Sequence, residues 1–282
     1  MRNERIYKKN AAYQKFEVLK SNRNKRYKYK EFFVEGVKNI NSAIKNNWDI
    51  CSFLYTNEKE LSIWAQQILN TTSTVVNYQL PLNLMKELSD KEDTSELLAI
   101  VRMREDNAAE FQLSKNPMLA LFDRPSNRGN LGTIIRSCDA LGVEGLILTG
   151  HGVDLYDPEV ITSSMGSFFR IPVIRMTDNQ SVLAFISELK GKFPGFNTIG
   201  TTAHKEFPIY KLNLTGPIMF FLGNETDGLS RVYKECSDKL ATIPMAEEAA
   251  ATSFNVGCAA TVMFYEAIRQ RNLETESFLA GF

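Results

Sequence analysis

Apolar positions along this chain follow two spacings in alternation. In residues 31–48, EFFVEGVKNINSAIKNNW, the positions Val34, Val37, Ile40 and Ile44 recur every three or four residues, which predicts a helix. Further runs predict a strand over 50–56, a helix over 58–70, a strand over 73–80, a helix over 81–89 and a strand over 96–103. The stretch REDNAAEFQLSKNP (104–117) breaks the pattern: it is polar and closes with a proline, as linkers do. From 118 the alternation resumes. Apolar runs at 118–123, 143–150, 170–176, 196–203, 217–223 and 239–245 predict strands, with helices over 132–142, 181–192 and 229–238 between them. A last helix is expected to begin near Ser253.

The layout predicts an α/β protein in four parts: residues 1–30, a small α/β domain over 31–104, a linker over 105–117 and a larger domain over 118–282. Strands that are apolar throughout and separated by helices imply a mostly parallel sheet covered on both faces. Ligands of such sheets gather beyond the carboxyl ends of the strands. The chemistry is therefore expected at 123–130, 150–157, 201–206, 223–230 and 245–255.

Charge changes this picture at one end. The 33 basic and 33 acidic residues cancel overall, yet residues 1–30 hold eleven Lys or Arg against Glu4 and Glu17. Tyr7, Tyr13, Phe16, Tyr27 and Tyr29 interleave the basic positions. Cations recruit phosphates and aromatic rings stack on bases, so Arg23, Lys25, Arg26 and Lys28 are expected to contact nucleic acid. A solvated basic helix with its aromatics on the buried side is the other reading of the same pattern. No apolar run approaches the roughly 20 residues of a membrane span. The N-terminal MRNERIYKKNAAYQ has no signal-like apolar core, and a cytoplasmic protein is expected. Cys51, Cys138, Cys236 and Cys258 lie far apart and the histidines are His151 and His204, so buried reduced thiols and no metal are expected.

Three stretches carry candidate chemistry. RPSNRGNLGTIIRS (124–137) has Gly129 and Gly132 three apart, the wrong spacing for a dinucleotide fingerprint, and it lacks the Gly-Lys-Ser/Thr of a phosphate loop. It leaves Asn127 or Asn130 as a helix cap and Arg136 two turns inside, either functional, or snorkelling beside an apolar face or paired with a carboxylate. FFLGNETDGLS (220–230) puts Glu225 at a strand tip, where it can hold a ligand or serve turn chemistry, with Ser230 as a cap. In the stretch 243–271, Ser253 and Asn255 stand where a loop becomes a long helix lined by Gly257, Ala259 and Ala260.

Taken in order, these stretches resemble the SpoU/TrmH family of SPOUT-class RNA methyltransferases. Asn130, Gly132 and Arg136 resemble its first motif; Gly223 through Ser230 its second; and Ile243-Pro244-Met245 with Ser253-Phe254-Asn255-Val256 its third. YDPEVITSSMGSFFRIPV (156–173) is similar to the intervening segment, and the unit over 31–104 resembles the family's RNA-binding substrate domain. The resemblance implies a trefoil-knot fold over 118–282, a homodimer, S-adenosylmethionine as cofactor and a ribose 2′-hydroxyl of RNA as acceptor. Ribosomal RNA is favoured over transfer RNA. It implies Arg136 as the activating residue, aided by Asn130, Glu225, Ser253 and Asn255, and a cofactor pocket lined by Thr201, Gly223, Ile243, Met245 and Phe254. Three departures stand out: AEEAAAT (246–252) is longer, acidic and without glycine; Phe254 replaces a leucine; and Thr162 stands where arginine is common. An RNA-binding protein without catalysis, or a base-directed methyltransferase, are the competing readings.

Overall fold

The computed structural model describes residues 2–202 and 207–279, the last seven as backbone only. Its contacts divide the chain into two compact units, Met1–Arg104 with Asp154–Arg170, and Glu105–Val153 with Ile171–Phe282. Packing thus departs from order along the chain: the basic N-terminal segment and residues 154–170 are both built into the first unit.

The first unit holds five strands, β1 (Arg2–Arg5), β2 (Glu31–Glu35), β3 (Ile50–Tyr55), β4 (Val76–Gln79) and β5 (Leu97–Arg102). They lie in the order β1-β4-β3-β5-β2, with β1, β4 and β3 parallel and β5 antiparallel to both of its neighbours. The helix expected over 31–48 is shorter than its pattern, Val37–Lys45. Phe32, Phe33 and Val34 precede it in β2, each buried because both faces of this sheet are covered. A strand buried on both faces loses the alternation that would identify it, and Gly36, at φ +100°, makes the turn into the helix. On one face Phe33, Leu54, Leu98 and Ile100 form a core with Tyr13, Phe16 and Leu19 of the helix Ala11–Ser21. On the other, Phe32 meets Trp48, Tyr156, Phe168 and Phe169. Trp48 Nε1 donates to Phe169 O at 2.8 Å and Ser42 Oγ to Gly166 O at 2.7 Å, which seats 154–170 here.

Arg26 corrects an expectation. It is 1% exposed and unable to meet a ligand from solution. Its Nε donates to Asp154 Oδ2 at 2.7 Å, Nη2 to Asp157 at 3.3 Å, and Nη1 to the carbonyls of Leu19 and Lys20. Tyr27 Oη completes the pairing of Asp154 at 2.9 Å.

The second unit is a seven-stranded, wholly parallel sheet of β6 (Met118–Asp123), β7 (Gly145–Thr149), β8 (Val173–Met176), β9 (Asn197–Thr201), β10 (Phe207–Pro208), β11 (Ile218–Leu222) and β12 (Lys239–Thr242). Their order is β10-β12-β9-β11-β6-β7-β8. The two-residue β10 has no counterpart in the sequence expectation. The expected strand over 196–203 is β9, and Ala203 lies outside the described residues. Leu119, Leu121, Met219 and Phe221 face Val182, Ile186 and Leu189 of the helix Asn179–Lys192. Phe111, from the expected linker, fills the space that a side chain on Gly145 would need, so the linker is part of this core. Phe220 meets Phe264 of the helix Val256–Leu279 with ring centroids 5.7 Å apart. Neighbouring central strands β6 and β11 lead away in opposite directions across the sheet, and their carboxyl ends open one crevice at this switch point.

Removing one member of a buried ion pair leaves the other charge uncompensated, at about 3–5 kcal/mol. Arg26→Met is therefore expected to lower unfolding stability by about that amount in denaturant titration, and an unchanged midpoint would show that the pair contributes nothing.

Candidate active site

Three loops meet at the crevice, and one carboxylate joins two of them. Glu225, in the turn after β11, accepts hydrogen bonds from the backbone N–H of Ser126 at 3.0 Å and Asn127 at 3.1 Å, from Ser126 Oγ, and from Asn130 Nδ2 at 3.1 Å. Burial opposes its ionisation, but the donors from Ser126 and Asn130 outweigh that and hold its pKa below the ordinary glutamate value. A carboxylate with a lowered pKa contributes fully at neutral pH, and the contribution is lost as pH falls through the lowered value.

Asn130 passes the connection to the third loop. With Nδ2 committed to Glu225, its Oδ1 accepts from Asn255 Nδ2 at 3.0 Å. Asn255 Oδ1 in turn accepts from the N–H of Gly257 at 2.9 Å and Cys258 at 3.3 Å, capping the last helix. That helix begins at Val256 and not near Ser253. The cap of the helix Arg128–Ala140 is Asn127, whose Oδ1 accepts from Asn130 N at 2.8 Å.

Backbone geometry closes the wall. A Cβ on Gly223 would lie 2.4 Å from Leu229 N, so the turn 224–229 folds directly back onto a bare backbone. Gly223 N donates to Thr201 Oγ1 at 3.3 Å, tying β11 to the end of β9. The resulting cleft has a volume of about 520 Å³, within the range of small-ligand sites. Asn130, Glu225, Ser253 and Asn255 line it, as do all five expected cofactor residues, Thr201, Gly223, Ile243, Met245 and Phe254. Apolar walls from Ile243, Met245, Leu229 and Phe254, beside exposed main chain, suit a nucleoside with polar edges.

Arg136 stands apart. It does not line this cleft; six residues beyond Asn130, it lies about 9 Å further along the helix axis. Its side chain is exposed and makes no ion pair or hydrogen bond among the described residues, which removes the carboxylate-paired reading. Of the expected nucleic-acid contacts in the first unit, Arg23 and Lys28 are exposed, Lys25 is half-buried, and Arg26 is the buried exception. Cys51 and Cys138 are buried, whereas Cys258 is exposed, against expectation. Among the described residues no group of three or more His, Cys, Asp or Glu could hold a metal, and His204 lies outside them.

Sequence reasoning placed chemistry at 123–130 but gave no role to Asp123 or Arg124. Asp123, buried at the end of β6, accepts from Thr149 Oγ1 at 3.0 Å, from Ser230 N at 2.8 Å and from the Arg124 guanidinium at 3.1 Å. An aspartate ending the apolar run MLALFD was the available signal. The hydrogen bond to Asp123 raises the Arg124 pKa above its usual value.

Glu225→Gln would turn an amide N–H₂ toward donors that need an acceptor. It is expected to lower unfolding stability by about 1–3 kcal/mol at neutral pH, and to narrow that deficit as acid removes the wild-type charge. Equal stability in denaturant titrations would contradict the carboxylate's role.

Residues 117–265 match the SpoU rRNA Methylase family, and residues 10–99 match the SpoU L30e-like domain. A 23S rRNA (uridine(2479)-2′-O)-methyltransferase of Streptomyces viridochromogenes is 38% identical over 268 residues, 95% of this chain and 92% of its own. The Bacillus subtilis 23S rRNA (guanosine(2553)-2′-O)-methyltransferase RlmP is 24% identical over 243 residues, 86% and 90% of the two chains. Among solved structures, the SpoU methyltransferase AviRb from Streptomyces viridochromogenes, in complex with AdoMet, aligns with a TM-score of 0.86 at 37% identity. That alignment covers 93% of this chain and 98% of that one. A family match across more than half the residues, and a relative similar along nearly all of them, make this chain a member of the SpoU rRNA methylase family.

Proposed function

We propose that this protein methylates a ribose 2′-hydroxyl of 23S ribosomal RNA, using S-adenosylmethionine. The observation that carries the reading is the convergence of all three motifs on one cleft, in a chain 38% identical to a 23S rRNA 2′-O-methyltransferase.

The cofactor supplies a methyl group on a sulfonium, already activated for displacement. Ile243, Met245 and Phe254 offer the apolar surface for its adenine, and the bare backbone at Gly223 allows close approach. Asn130, Glu225 and Asn255 hold the three loops in register, and Ser253 is free to position the ribose. In-line placement of the reacting atoms supplies much of the rate of such a displacement. A guanidinium offers hydrogen-bond donors and no acceptor, so Arg136 acts by stabilising the forming alkoxide. Arg23, Lys25 and Lys28 contribute to RNA affinity through phosphates.

Arg136 lies outside its own chain's cleft, which supports a homodimer in which each arginine serves the partner's cleft. Val262 and Tyr265, 40% and 58% exposed on the last helix, supply apolar surface for self-association. A trefoil knot in the second unit and a cytoplasmic location complete the reading.

With labelled cofactor and ribosomal RNA, the label is expected on a ribose 2′-oxygen. Label on a base would support the base-directed reading, and no label in either place would support a binding protein without catalysis. Arg136→Ala should lower kcat by about 100-fold or more while cofactor affinity, measured by calorimetry, is kept; an equal loss of affinity would make the arginine structural. Replacing Arg23, Lys25 and Lys28 by Ala, with Arg26 retained, should weaken RNA binding and flatten its salt dependence. An unchanged slope would place the RNA elsewhere.

A further inference from the structure

Arg124 belongs to none of the three motifs and does not line the cleft. Resting on the methyltransferase reading above, we propose that Arg124, oriented by Asp123, is a positioning residue that sets cofactor affinity by fixing the Gly228–Leu229 wall.

Arg124 Nη2 donates to Gly228 O at 3.2 Å, and Nη1 pairs with Asp227 at 3.5 Å. Its own carbonyl accepts from Asn224 Nδ2 at 2.6 Å. The second-motif turn is thus gripped at both ends by a single side chain and its backbone. Gly228 and Leu229 line the cleft, and Leu229 N lies against the bare Gly223, so the wall has no slack on its inner side.

Asp123 orients the grip. It accepts Nε of Arg124 at 3.2 Å through Oδ1 and Nη2 at 3.1 Å through Oδ2, the fork geometry that a guanidinium matches and an ammonium does not. The same Oδ2 accepts from Ser230 N at 2.8 Å, which holds the far end of the turn to β6.

Two backbone features serve this arrangement. Arg124 has φ +48°, a left-handed conformation that a non-glycine residue adopts at a cost and keeps only where its surroundings enforce it. Gly150, after β7, has φ +60°, and a Cβ there would lie 2.7 Å from Arg124 Cγ. The position beside the arginine stem is therefore kept clear. The first feature sets the carbonyl that Asn224 holds, and the second leaves room for the arginine stem.

The test is calorimetry of S-adenosylmethionine on full-length wild type and Arg124→Ala, with kcat on ribosomal RNA at saturating cofactor. Loss of charge-assisted hydrogen bonds to the wall should raise Kd about tenfold or more. Turnover at saturation should stay within about twofold, since Arg136, Asn130 and Glu225 are untouched. Added methylguanidinium should recover much of the affinity in Arg124→Ala and none in wild type, and Arg124→Lys should recover only part. Gly150→Ala displaces the stem while keeping the charge, and should raise Kd in the same direction. In the double variant the two losses should not multiply. An unchanged Kd in Arg124→Ala, a fall in kcat alone, or multiplying losses would overturn the proposal and leave the methyltransferase reading standing. A wild type that binds no S-adenosylmethionine would overturn both.

Discussion

The carboxylate of Glu225 is the interaction on which the site depends. Its donors are fixed in the first-motif loop: the backbone N–H groups of Ser126 and Asn127 and the amide of Asn130. Because Asn130 Nδ2 is committed there, Asn130 Oδ1 is left for Asn255, and Asn255 then caps the last helix. One ionised group therefore determines the orientation of two amides and the start of a helix, across residues 95 and 125 positions apart. The lowered pKa of Glu225 is the electrostatic signature of that role.

The sheet makes the connection possible. β6 and β11 are neighbours in a parallel sheet, so the loops that follow them emerge side by side at the same edge. Both loops are then bound twice: on the cleft side through Glu225, and on the outer side through Asp123 and Arg124. Gly223 allows the turn between these attachments to fold flat, because any side chain there would strike Leu229. Rigid walls of this kind hold a small ligand without ordering a loop at the moment of binding, which lowers the entropic cost of binding.

Much of this was legible in the chain because it rests on local pattern. The central strands β6, β7 and β11 are short and buried throughout, so their apolar runs stood out, and the three motifs sit where strand ends were expected. What stayed hidden depends on partners far away in sequence. Arg26 reads as one cation among many until Asp154 and Asp157 are found beside it, 128 and 131 residues on. Arg124 meets Asp227 and Gly228 only after more than 100 residues. β2 was hidden for a different reason: Val34 falls into helical spacing with Val37 and Ile40, while full burial removes the alternation that would mark a strand. Residues 154–170 read as part of the second unit because nothing in their own pattern announces Trp48 or Ser42 as partners.

The central claim is that the three loops form one cooperative unit through the chain Glu225, Asn130, Asn255. A double-mutant cycle on S-adenosylmethionine affinity tests it directly, using Asn130→Ala, Asn255→Ala and the pair in the full-length protein. The account predicts that the pair loses little more affinity than the worse single variant, a coupling of about 1 kcal/mol or more. Losses that simply add in free energy would contradict it, and would mean that each loop holds its own shape.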